Sequence, residues 1–207
     1  MNIFVLSKII KLCAQYHCDK HVVKMILESA QMLCTAHRVL DQVNTVDGVR
    51  IYKIFGKKHP CNLWTQASSE NYSWLYNLFI ELCNEYTYRY GKTHICDTKF
   101  RNALEYLPVN IPTGELTPFA VAMPDQYKIK NEDGSYDAIK SYRAYRKAAK
   151  LLEKFNFTYL FNTMAQETEL LEMPLETVAQ ANDNGGYNED TIKVLEGLEA
   201  VRKRPAM

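Results

Sequence analysis

Apolar side chains recur every three or four positions between about residues 14 and 40, where Val22, Met25, Ile26, Ala30, Leu33, Ala36 and Leu40 share one helical face. A second helix is predicted over about 61–90, with an apolar row of Trp64, Ala67, Trp74 or Leu75, Leu78 and Leu82. Tyr72, Tyr76, Phe79, Tyr86, Tyr88 and Tyr90 surround that row, and so much aromatic surface predicts packing against the first helix. Pro60 suits the first helical position and Gly91 a left-handed cap. Before the first helix, the run Ile3-Phe4-Val5-Leu6 fits a buried strand or a first turn equally well. Between the two helices, residues 41–48 are rich in turn formers. Residues 92–134 carry Pro108, Pro112, Pro118, Pro124 and Gly114 and read as loop, apart from a short helix near 97–106. A third helix is predicted from Ser135 or Asp137, either of which can cap it.

The expected fold is therefore mainly α: a compact helical domain over 1–163 built on two or three long helices. An acidic, mostly unstructured linker follows over 164–186, and a short helix over 187–207. With 47% apolar and 24% charged residues among 207, the chain can bury one ordinary core. The net charge of +1 hides an asymmetry. Residues 1–163 hold 21 Lys and Arg against 15 Asp and Glu, whereas residues 164–207 hold 4 against 9. A mildly basic body is compatible with phosphate contacts without requiring them. The six cysteines form no CxxC pair and follow no leader, which predicts reduced thiols in a cytoplasmic protein. No stretch has the length of apolar residues that a membrane span needs, so no membrane partner is expected.

Candidate chemistry is concentrated near the start of the first helix. His17, His21, Lys24 and Glu28 fall at i, i+4, i+7 and i+11, a single stripe continued by Gln31 and Thr35. Such a stripe is either a solvated face or a set of groups suited to acid–base and amine chemistry. His17 and His21 also have zinc-helix spacing, with Cys18, His59 or Cys61 to complete a set, but the HExxH pattern is absent. Neither a metal nor a cofactor is assigned. In the third helix Arg143, Arg146, Lys147 and Lys150 are interleaved with Tyr142 and Tyr145, as in single-strand binders or in a helix with one buried aromatic edge.

The strings AQYHCDKHVVKMILESAQMLCTAHRVL, KKHPCNLW, TPFAVAMPDQYK and SYRAYRK resemble a family of small phage and bacterial proteins over about residues 1–150. The central helix is distantly similar to that of the phage pyrimidine-dimer DNA glycosylases, in which a histidine precedes the catalytic glutamate by seven residues, as His21 precedes Glu28. That resemblance implies an all-helical DNA-damage glycosylase and lyase acting on a flipped nucleotide, with DNA as partner and a monomeric state. Glu28 would be the catalytic carboxylate and His21 would contact substrate or phosphate. Lys20, Lys24, Arg143, Arg146, Lys147 and Lys150 would meet the nucleic acid. Leu27 and Gln31 stand where the glycosylases place arginines. Their nucleophile is an α-amine exposed by methionine removal before a small residue; Asn2 follows Met1 here, so the amine of Met1, Lys20 or Lys24 would take that role.

The string YNEDTIKVLEGLEAVRKRPAM over 187–207 resembles the opening of the ATPase subunit of type II topoisomerases, the gyrase B and topoisomerase IV family. It implies a truncated or fused topoisomerase fragment that cannot by itself be an ATPase, with Met164 placed where a separate subunit could begin. A non-catalytic nucleic-acid-binding phage protein is the remaining alternative.

Overall fold

The computed structural model describes residues 2–148, and these are mainly helical. In chain order they form α1 (Ile10–Gln15), α2 (Asp19–Leu40), a hairpin of β1 (Thr45–Val46) and β2 (Val49–Arg50), α3 (Pro60–Ala67), α4 (Ser69–Tyr90), α5 (Ile95–Phe100) and α6, helical over 138–148. Helix α2 is the spine, lying against α4 along its length and against α3 and α5. Its expected face is inside: Val22, Met25, Ile26, Ala30, Leu33 and Ala36 are buried with Tyr72, Leu75, Leu78, Phe79 and Leu82 of α4. Phe100 of α5 and Tyr142 of α6 complete the same core.

Both long helices predicted from periodicity are interrupted once. The first breaks at residues 16–18, leaving α1 and α2. Cys18 is extended at the start of α2 and supplies no side-chain cap. Arg89 of α4 holds the break instead, donating to the carbonyls of Gln15 at 3.0 Å and His17 at 2.9 Å and to Asp19 Oδ1 at 2.9 Å. The second breaks at Ser68, extended at φ −156° and ψ 158°, whose Oγ accepts the Asn71 N–H at 3.2 Å. A serine in that conformation satisfies one of the orphan donors of the new helix.

Other expectations hold. Pro60 opens α3 behind His59, and Gly91 closes α4 at φ 61° with its N–H on Thr87 O at 2.8 Å. Asp137 Oδ1 caps α6 through the Lys140 N–H at 2.9 Å. The stretch read as turn-rich forms a hairpin in register Val46 to Val49, with Asp47 at φ 47° and Gly48 at φ 72°. That pair of positive φ angles is the turn favoured by strand twist, and Asp-Gly is its usual sequence. Residues 3–6 form neither a strand nor a helical turn; they run as buried irregular chain.

No helix among the described residues is long and apolar enough to cross a membrane. The described residues belong to the unit Met1–Leu151. The predicted linker, the topoisomerase-like segment and Lys150 lie outside the described residues.

Candidate functional site

The polar stripe is not one helical face exposed to water. His17 sits in the break before α2, so only His21, Lys24, Glu28, Gln31 and Thr35 share that helix. Glu28 is 7% exposed and Thr35 is fully buried, while Lys20 and Lys24 face solvent. The chain folds two irregular segments over the stripe. Asn2 donates its backbone N–H to Glu28 Oε2 at 2.8 Å, and Phe55 donates its own to Thr35 Oγ1 at 3.4 Å.

Glu28 is thus a carboxylate shielded from water and held from several sides. Lys24 Nζ lies 3.6 Å from Oε1, one turn earlier on α2, with its side chain 66% exposed. With its ammonium so exposed, the pair contributes little stability, a few tenths of a kcal/mol or so. It does place an amine at the edge of the carboxylate. The charge of Glu28 also reaches His59, the residue that caps α3. Burial lowers the His59 pKa, the charge of the amino terminus lowers it further, and the Glu28 carboxylate acts in the opposite direction. The same two charges act on Cys61, whose thiol burial pushes up to about 11, so it is a protonated packing group and not a nucleophile.

Asn2 organises this end of the molecule. Its Oδ1 accepts the Ile3 N–H at 2.9 Å, lies 2.7 Å from the Tyr142 hydroxyl of α6 and receives Cys61 Sγ at 3.6 Å, while its Nδ2 donates to Ala122 O at 2.8 Å. One short side chain therefore joins α3, α6 and the 120–122 segment beside Glu28. From Asn2 the chain continues to Phe4, whose ring meets His21 at 4.7 Å, Tyr142 at 5.5 Å and Tyr145 at 6.1 Å, all between centroids. His21 is half-buried against that ring.

His17 does not join the candidate chemistry. It is 3% exposed, and its Nδ1 donates to Cys13 O at 2.8 Å, which fixes the proton on that nitrogen because a carbonyl only accepts. Its ring centroid is 6.5 Å from that of His21. Among the described residues no three His, Cys, Asp or Glu side chains are grouped as ligands for a metal ion. Burial lowers the His17 pKa to about 4 from 6.5, with the charges of His21, Arg146 and Arg89 adding to the effect against the Cys13 bond. The unfolded chain therefore binds this proton at higher pH than the folded one, so stability is lost as pH falls from about 6.5 to about 4, by about 3 kcal/mol. Urea unfolding of the parent and of His17→Gln at pH 7 and pH 4 checks this; the variant should lose about 3 kcal/mol less over that interval.

The basic residues of α6 converge on a second feature. Arg143, Arg146 and Lys147 line a cavity of about 350 Å³ together with Leu6 and Tyr16. Arg143 donates to Leu6 O at 3.0 Å and lies 5.6 Å from the centre of the Tyr16 ring, which is 44% exposed. The cavity and Glu28 stand at opposite ends of the segment from Asn2 to Leu6, whose length cannot exceed about 14 Å. Tyr142 and Tyr145 turn inward toward Phe4, so the aromatic edge of α6 is core and its basic edge faces out.

Of the residues expected to act together, the structure groups Glu28, Lys24 and His21 on α2 and Arg143, Arg146 and Lys147 on α6. The sequence did not point to Tyr16 or to the side-chain role of Asn2, and it offered His59 only as a helix start or a metal ligand, because nothing in local spacing ties positions 2, 16 or 59 to position 28. Compared with protein-family models, curated proteins and solved structures, the chain matches none.

Proposed function

We propose that the protein is a DNA-damage glycosylase with lyase activity that works on a nucleotide flipped out of the duplex. The observation that supports this reading is the buried Glu28 carboxylate accepting the Asn2 N–H at 2.8 Å, with the Lys24 amine beside it. In this reaction an amine attacks C1′ of the damaged nucleotide's sugar and the glycosidic bond breaks. The resulting imine is resolved by β-elimination, which cleaves the strand. Glu28 stabilises the positive charge on the sugar and moves the proton.

Lys24 is the amine beside that carboxylate, its Nζ 3.6 Å from Oε1. The amino-terminal charge is felt by His59 and Cys61, the two residues that also feel Glu28. An α-amine has an ordinary pKa near 8 and a lysine one near 10.4, so at neutral pH the former holds far more of the neutral, nucleophilic form. Lys24 and the cavity of Arg143, Arg146 and Lys147 offer phosphate contacts at either end of the Asn2–Leu6 segment, and Lys20 faces solvent on α2.

The test is borohydride trapping on ultraviolet-irradiated duplex, followed by peptide mass analysis of the adduct. A covalent adduct on residue 1 or 2, or on Lys24, is expected. Salt-sensitive binding with no adduct and no strand cleavage would instead support a non-catalytic nucleic-acid-binding protein, the reading that the basic cavity favours by itself.

A further inference from the structure

The segment 53–58, Lys-Ile-Phe-Gly-Lys-Lys, is exposed at every position. Ile54 is 46% and Phe55 56% exposed, although both are apolar and adjacent. The backbone beneath them is nonetheless fixed. Asn62, fully buried in α3, donates its Nδ2 to Phe55 O and to Gly56 O, both at 2.7 Å. Thr35 Oγ1 receives the Phe55 N–H, and Gly56 O receives the His59 N–H at 2.8 Å. Gly56 adopts φ 59°, a left-handed conformation that turns the chain sharply behind the two apolar side chains. A buried amide is thus committed to presenting an aromatic and a β-branched side chain to the outside.

Charge selects what these side chains meet. Lys53, Lys57 and Lys58 flank the pair, and no Asp or Glu occurs between Arg50 and Pro60. Thr35 is two helical turns from Glu28 on the same face of α2, so the Phe55 backbone lies about 10 Å along the helix from the carboxylate. His59, at the end of the segment, feels the Glu28 charge directly.

We infer that Ile54 and Phe55 form a wedge that enters a base step of duplex DNA while Lys53, Lys57 and Lys58 hold the adjoining phosphates. Apolar side chains inserted between base pairs unstack and kink the duplex, and the rigid support from Asn62 means that little ordering entropy is lost in doing so. The inference rests on DNA being the partner, as proposed above, but it does not need the glycosylase chemistry. If both hold, the wedge supplies the opening through which a nucleotide reaches Glu28.

The experiment uses duplexes carrying 2-aminopurine beside an ultraviolet lesion or an abasic site, with the parent, Phe55→Ala, Ile54→Ala and a Lys57→Ala/Lys58→Ala double variant. The parent should raise the fluorescence on binding. Phe55→Ala should abolish that rise and weaken binding about 10-fold, within the range for loss of one aromatic contact to a base. The double lysine variant should keep the rise at saturation and lower the salt slope of binding by about 2. Thermal unfolding at the parent temperature confirms that these exposed substitutions leave the fold intact. A parent that binds without raising fluorescence, or a Phe55→Ala protein that raises it equally, overturns the wedge. Loss of self-association in Phe55→Ala, with DNA binding unchanged, overturns it in favour of a second protein copy. Unstacking by the parent without any trapped adduct leaves the wedge standing and removes the glycosylase; trapping that survives Phe55→Ala undiminished does the reverse.

Discussion

Glu28→Gln is expected to slow strand cleavage at an ultraviolet lesion by about 10²- to 10⁴-fold, the contribution typical of one positioned acid–base group. The substitution isolates the chemistry because glutamine keeps the length of the side chain and an oxygen able to accept the Asn2 N–H that now lies 2.8 Å away. What it removes is the negative charge and the capacity to exchange a proton. In the proposed reaction both belong to the steps after attack, when the sugar would carry positive charge and the imine would lose a proton for β-elimination. Binding should be unchanged or slightly tighter, since a carboxylate near the phosphates is lost. Single-turnover cleavage of irradiated duplex measures the rate, salt titrations measure binding, and near-ultraviolet circular dichroism reports the fold. A rate within 2- or 3-fold of the parent would remove Glu28 from the mechanism, leaving it a buried anchor for the amino-terminal segment.

The parts of this site that were legible in the sequence are those with local causes. The apolar face of α2 followed from a repeat of three and four, and the side chains expected there are buried except Leu40 at its last position, which is half-buried. Caps at Pro60, Gly91 and Asp137 followed from residue type. The break before α2 did not, because the local cap position is Cys18 without a side-chain bond, and the stabilising group is Arg89, 70 residues away from Asp19. A similar cause hid the site. Glu28 reads as part of a surface stripe until segments from residue 2 and residue 55 fold over its helix, and no periodicity records such a meeting. The Asp-Gly hairpin is a different case, since its signal was present in the stretch read only as turn-rich.

The break at Ser68 carries the largest expected effect on stability. Asn71, the residue whose N–H Ser68 caps, is fully buried. Its Nδ2 donates to Trp64 O and to Thr117 Oγ1, both at 2.8 Å, and its Oδ1 accepts the Thr117 N–H at 2.9 Å. It therefore joins the last turns of α3, the first turn of α4 and the extended segment that also bonds Ser69 and Glu70 through Pro112 O and Gly114 O. Asn71→Leu preserves volume and leaves three polar groups in that junction without their partner. At roughly 1–3 kcal/mol for each group so stranded, a loss of about 4 kcal/mol is expected. Ser68→Ala, which removes a cap and leaves the amide network, should cost only about 1 kcal/mol. Urea unfolding of the two variants beside the parent separates these values, and a cost below 1 kcal/mol for Asn71→Leu would show that the junction is held by the neighbouring Trp64, Trp74 and Phe119 rings instead. The consequence reaches the candidate site, because α3 carries His59, Cys61 and Asn62 at its other end. Whatever fixes Trp64 against α4 also fixes the distance from His59 to Glu28 and the support beneath Phe55. If the proposed wedge acts on DNA, a variant that folds but loosens this junction should lose DNA unstacking before it loses binding, as the lysines would need only proximity and the wedge a rigid base.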